Sequence, residues 1–120
     1  MNEYLLALHE DPTLWADMSP EDMQRIIESY GAWARKMGEE GHLRGGQKLK
    51  DEPGRVLRKT GSGIKTVDGP YSETKEILGG FFIIAAKDYD EAARVAASCP
   101  HVLNGGTIEL REIDPVEDGA

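Results

Sequence analysis

The chain has one cysteine, Cys99, three histidines and no long apolar run. Each shortage excludes something. A lone thiol forms neither an intrachain disulfide nor a multi-cysteine zinc site, and beside a helix end it reads as a packing residue. His9, His42 and His101 are not grouped at metal-ligand spacing, so neither a metal nor a cofactor is expected. No apolar stretch approaches the roughly 20 residues that cross a bilayer. The opening MNEYLLALHEDP lacks the basic and apolar regions of a signal peptide. The expectation is a cytoplasmic protein with no membrane contact.

A surplus of positive charge is missing too. Fourteen basic residues face 22 acidic ones, a net charge of −8, which opposes nonspecific nucleic-acid binding. The cations are unevenly placed. Residues 35–65 hold nine of the fourteen against four carboxylates, so this segment is about +5 and the remainder about −13. No aromatic residue is interleaved with these cations, so the stretch reads as a solvated hairpin and no nucleic-acid partner is expected.

What is present fits one ordered domain: 120 residues, 39% hydrophobic and 30% charged. Residues 1–113 are assigned to it and 114–120 to a polar tail. The run YLLALH, Tyr4 to His9, predicts a buried strand, followed by a turn in which Trp15 packs on the next helix. Ser19-Pro20-Glu21-Asp22 opens that helix: Ser19 caps, Pro20 takes the first position, and the carboxylates complement the dipole. Met23, Ile26, Ile27, Tyr30, Trp33, Ala34 and Met37 form its apolar stripe, and Gly38 and Gly41 both offer stops. A strand near 46–50 and a polar hairpin near 55–67 follow, the hairpin too poor in apolar residues to be more than peripheral. Leu78 to Ala86 is apolar on both parities and predicts a strand covered on both faces. Asp88 and Glu91 set a capping box for a second helix that buries Ala92, Val95, Ala96 and Cys99 and ends at Pro100. In TIELREI, Ile108 and Leu110 alternate with Thr107, Glu109 and Arg111.

The order is that of an α+β, ferredoxin-like βαββαβ fold with an inserted hairpin. Right-handed crossovers place both helices on one face of the antiparallel sheet. The other face then needs cover, from a ligand or from a second copy of the chain.

The segment Asp68 to Gly80, DGPYSETKEILGG, carries the sharpest signal. Asp68-Gly69-Pro70 is a turn, Glu73, Lys75 and Glu76 cluster three charges, and Gly79-Gly80 opens the doubly apolar strand. With YLLALHED, the Ser-Pro-Glu helix entry, Cys99-Pro100 and GGTIELREI, it resembles the DGPF-domain proteins of the YCII-related family over nearly the whole chain. Tyr71 stands where phenylalanine is usual. The resemblance implies a homodimeric α/β barrel with a cleft for a small molecule, on an architecture shared with lactone isomerases, dehalogenating lyases and cofactor-free oxygenases. It also implies, for some members, a setting beside extracytoplasmic-function sigma factors. A histidine in the first helix paired with an aspartate near its end, which some such proteins carry, has no counterpart here: 20–37 contains no histidine, and Glu39 or Glu40 stands near the aspartate's place.

The candidate residues each have two readings. Asp68 shapes its turn, and would serve as a base or ligand anchor if desolvated. His9 ends its strand as a proton shuttle or as a solvated residue. Glu73, Lys75 and Glu76 bind a ligand or pair on the surface. His42 and His101 are expected at the surface and against a neighbouring loop. Glu109 and Arg111 pair with each other, pair across a dimer, or clamp a ligand. Two functions compete: a small-molecule enzyme of the cofactor-independent lyase or isomerase type with a barrel pocket lined by Asp68, His9 and Arg111, or a noncatalytic dimeric regulatory module.

Overall fold

The computed structural model describes residues 1–69 and 76–116. β1 (Asn2–Glu10) is followed by a 3-10 turn at Pro12–Leu14, where the Asp11 carboxylate accepts from the backbone N–H of Thr13. α1 (Pro20–Glu39) starts as expected, with Ser19 Oγ accepting from the Asp22 N–H at 3.1 Å. It runs past Gly38 and stops at Gly41, whose φ of +80° disfavours any other residue. The His42 N–H then reaches the Met37 carbonyl at 2.8 Å and satisfies one of the helix's last acceptors.

β2 (Leu43–Lys48) begins earlier than the 46–50 expected, because Gly45-Gly46 lies inside the strand. Gly46 is required there: a Cβ would sit 2.7 Å from both the Phe81 carbonyl oxygen and the Phe82 ring. β3 (Arg55–Thr60) and β4 (Gly63–Asp68) form a separate two-stranded hairpin, exposed as its sparse apolar content predicts. β5 (Ile77–Ala86) is the doubly apolar strand. α2 (Tyr89–Ala97) is capped by Asp88, which accepts from the Glu91 N–H, while Glu91 reaches back to the Lys87 N–H. Pro100 does more than end this helix. It opens a short α3 (Pro100–Leu103), which leads into β6 (Thr107–Glu112).

The four-stranded sheet is antiparallel with order β2-β5-β1-β6, the ferredoxin-like arrangement. Its core lies on one face: Tyr4, Leu6 and Ile84 are fully buried against Trp33 and Met37 of α1 and Val95 and Ala96 of α2. The indole N–H of Trp33 donates to Ser98 Oγ at 2.9 Å, joining α1 to the end of α2. Ile108 and Leu110 pack on this core, as the alternation in β6 predicts. By register, the opposite face carries Leu5, Ala7, Phe81 and Ile83, with His9, Glu109 and Arg111 beside them. No helix among the described residues is long and apolar enough to cross a membrane.

Candidate functional site

A cavity of about 590 Å³ opens on the helix side of the sheet. Met23, Ile26 and Ile27, one stripe of the first two turns of α1, form its roof. Leu8 and Phe82 form the floor, and Trp15 closes one end. The floor is low because Gly46 and Gly80 carry no side chains; a Cβ at Gly80 would approach the Gln47 carbonyl to 2.8 Å. Gly79 is the extra residue of a bulge opposite Leu8 and His9, and a Cβ there would strike the Glu10 carboxylate. The pair Gly79-Gly80 therefore shapes a binding space as well as a strand entry.

Tyr30 and His101 supply the polar centre. His101 is 2% exposed, and its two ring nitrogens are both engaged. Nε2 lies 2.8 Å from the His9 carbonyl oxygen, which can only accept, so Nε2 carries a proton. In the neutral imidazole Nδ1 is then the acceptor, and the Tyr30 hydroxyl donates to it at 2.8 Å. Gly106 allows this packing, since a Cβ there would overlap the His101 ring.

Burial first, then the nearby Cys99 and Glu10, push the Tyr30 hydroxyl well above the ordinary phenol range. Burial also raises the Cys99 thiol, against a smaller opposing effect of the His101 backbone N–H. Cys99 is fully enclosed and protonated, which leaves it a packing residue. Both groups hold their protons more tightly folded than unfolded. The stability they contribute is complete below about pH 8 and is lost as pH rises through their unfolded and then their folded values. Tyr30→Phe is expected to flatten part of that alkaline loss, read as a smaller fall in urea midpoint between about pH 8 and pH 10.5 than the unmodified protein shows.

The residues singled out from the sequence are dispersed. Asp68 is exposed at the end of β4, opposite Arg55. Arg111 is exposed on β6, opposite Leu5 on the sheet's other face. Asp68 and Arg111 stand on different sheets, Asp68 on β4 of the hairpin and Arg111 on β6. Glu109 is paired with His9, Nε2 to Oε1 at 3.1 Å, and not with Arg111. His9 and Glu76 do share a second depression of about 610 Å³, between the Leu49–Arg55 linker and the start of β5. Glu73 and Lys75 lie outside the described residues. His42 is engaged with the fold, its Nδ1 2.8 Å from the Ala85 carbonyl oxygen.

Tyr30 and His101 escaped the sequence reading because they are 71 positions apart. One signal pointed to the first: Tyr30 is the only hydroxyl-bearing member of the α1 stripe. Among the described residues no group of three or more potential ligands could hold a metal ion.

Comparison with known proteins gives three findings. The YCII-related domain matches residues 3–117. An uncharacterized protein of Rhizobium meliloti (strain 1021) is 31% identical over 112 residues, covering 92% of this chain and 90% of its own. Among solved structures, the 5-chloro-2-hydroxyhydroquinone dehydrochlorinase TftG of Burkholderia phenoliruptrix AC1100, in complex with 2,5-dihydroxybenzoquinone, superposes with a TM-score of 0.51. That match is 14% identical and covers 95% of this chain and 94% of that one; it establishes a shared fold.

Proposed function

The chain belongs to the YCII-related family, and from that premise we propose that its helix-side cavity binds a small, largely apolar molecule and transfers protons on it through Tyr30 and His101. One observation carries this reading: a half-buried tyrosine bonded to a buried histidine of defined tautomer borders an apolar cavity of about 590 Å³, a size that suits a small ligand. The neighbour's complex with a dihydroxybenzoquinone adds support from the fold.

The proton path needs no cofactor. The Tyr30 oxygen accepts a proton from the ligand while its own proton passes to His101 Nδ1. The resulting imidazolium is held by the His9 carbonyl, which accepts from Nε2–H. Reversal returns the proton to a different atom of the ligand. The net change is an isomerisation, or an elimination when a leaving group departs from the neighbouring carbon.

The protein acts as a cytoplasmic homodimer in this reading, with residues 1–113 as the working domain. The sheet face bearing Leu5, Phe81 and Ile83 meets its equivalent in a second copy. Thermal-shift screening of small ring compounds tests the cavity. A ligand at 100 times its Kd adds about 2.7 kcal/mol of stability. Ile26→Trp, which fills the roof, is expected to abolish that gain, and Tyr30→Phe to leave binding within a few-fold while removing turnover. A ligand whose stabilisation survives Ile26→Trp binds elsewhere.

A second reading rests on the hairpin. Leu57 and Ile64 are each 65% exposed on a strand pair that also carries Arg55, Lys59 and Lys65. Such a surface suits a noncatalytic dimeric module that contacts another protein in sigma-factor signalling. Charge reversal of Lys59 and Lys65 with no effect on partner capture removes it.

A further inference from the structure

The hairpin of β3 and β4 is an arm. Its strands pack chiefly on each other, and every residue from 55 to 68 except Val56 is exposed. Each strand has six residues, so the arm reaches about 20 Å. The radius of gyration is 16.3 Å, where a compact chain of this length would have about 14 Å. The arm thus stands out from the body.

Its root is fixed. The Gly69 N–H donates to the Gly54 carbonyl at 3.0 Å, and Gly69 lies so close to the Pro53 carbonyl that a Cβ has no room. The Leu49 N–H, at the start of the linker, donates to the Gly79 carbonyl of β5 at 2.9 Å. That linker borders one depression with His9 and Leu78, so the arm springs from the end of the sheet face that carries no helix.

A two-stranded hairpin alone in water is marginal at best, so this one calls for cover. Leu57 lies opposite Thr66 and Ile64 opposite Lys59, which makes Leu57 and Ile64 diagonal neighbours on one face of the arm. Both are largely exposed. The arm is also cationic: Arg55, Arg58, Lys59 and Lys65 against Asp68 give +3, leaving −11 on the rest of the chain. A surface both apolar and acidic matches it. The body of this same protein has one, the open sheet face with Leu5, Phe81 and Ile83 and with Glu3 and Glu109 beside them. The arm extends away from its own body, so the body it can cover is another.

Resting on the homodimer reading, we propose that each arm clasps the second copy of the chain, laying Leu57 and Ile64 against the margin of its open face and the arm's cations against its acidic body. Two-fold symmetry makes every such contact twice.

Dissociation constants from analytical ultracentrifugation test the clasp, with circular dichroism to show that the fold is kept. Leu57→Ser with Ile64→Ser is expected to weaken the dimer about a hundredfold, since two apolar side chains on each of two arms are lost. Lys59→Glu with Lys65→Glu is expected to weaken it about tenfold and to flatten its salt dependence. Trypsin gives a second readout: at fixed protease, cutting within the arm is expected to slow as protein concentration raises the dimer fraction.

An unchanged dissociation constant in either variant, or an arm cut equally fast in dimer and dilute monomer, overturns the clasp. If Ile83→Glu still yields single chains, the homodimer reading survives that failure. If the arm variants lose capture of a different protein while the dimer is unchanged, the arm serves that partner and the clasp falls. If the unmodified protein is a monomer at micromolar concentration, clasp and homodimer fall together.

Discussion

His101→Ala is expected to destabilise the protein by about 3–5 kcal/mol, a loss that consumes much of the roughly 5–15 kcal/mol available to a domain of this kind. His101 is one of the most deeply buried side chains described, at 2% exposure, and it is bonded at both ring nitrogens. Its removal takes away two hydrogen bonds, to the Tyr30 hydroxyl and the His9 carbonyl, and adds the cost of the space the buried ring filled. Tyr30→Phe should cost nearer 1 kcal/mol, since it deletes one donor and keeps the ring. Urea unfolding of the two single variants and the double variant measures the coupling between them. A double variant as unstable as the sum of the singles would show that the two side chains do not act as a pair.

The second large effect lies on the opposite face of the sheet. Ile83 is half-buried between Leu5 of β1 and Gly45 of β2, on the side away from both helices. In a two-fold dimer built on this face, Ile83→Glu places a charge in an apolar contact, and symmetry repeats the contact. Several kcal/mol of association energy should be lost, weakening the dimer by at least about a thousandfold. Light scattering at micromolar concentration is expected to give the mass of two chains for the unmodified protein and of one for Ile83→Glu. An unchanged mass in the variant would place the interface elsewhere. Because Ile83 points away from the core, its circular dichroism spectrum should be unaffected, which separates lost association from lost fold.

Much of the fold can be read along the chain because its causes are local. Ser19 and Asp88 cap their helices through side-chain oxygens that reach three residues ahead. The alternation in β6 assigns Ile108 and Leu110 to the core, and the unbroken apolar run of β5 shows that both sheet faces carry apolar side chains. Local rules misplace β2, because Gly45-Gly46 looks like a break. Only the Phe82 ring, brought in from β5, explains why glycine is needed inside that strand.

The DGPYSETKEILGG segment identifies the family, yet Asp68 is exposed and outside both cavities, and 70–75 lie outside the described residues. Its contribution to the candidate site comes from Gly79 and Gly80, through the room they leave for Glu10 and for a ligand. The ferredoxin-like order of elements, the helix caps, the exclusion of a disulfide between two of these residues and the family are all legible along the chain. These follow from periodicity, composition and interactions spanning a few residues. That the cavity opens beneath α1, that Tyr30 meets His101 there, and that Glu109 turns to His9 emerges only when the elements pack. Each of those pairings joins residues 71 to 100 positions apart, and such meetings depend on how whole elements pack.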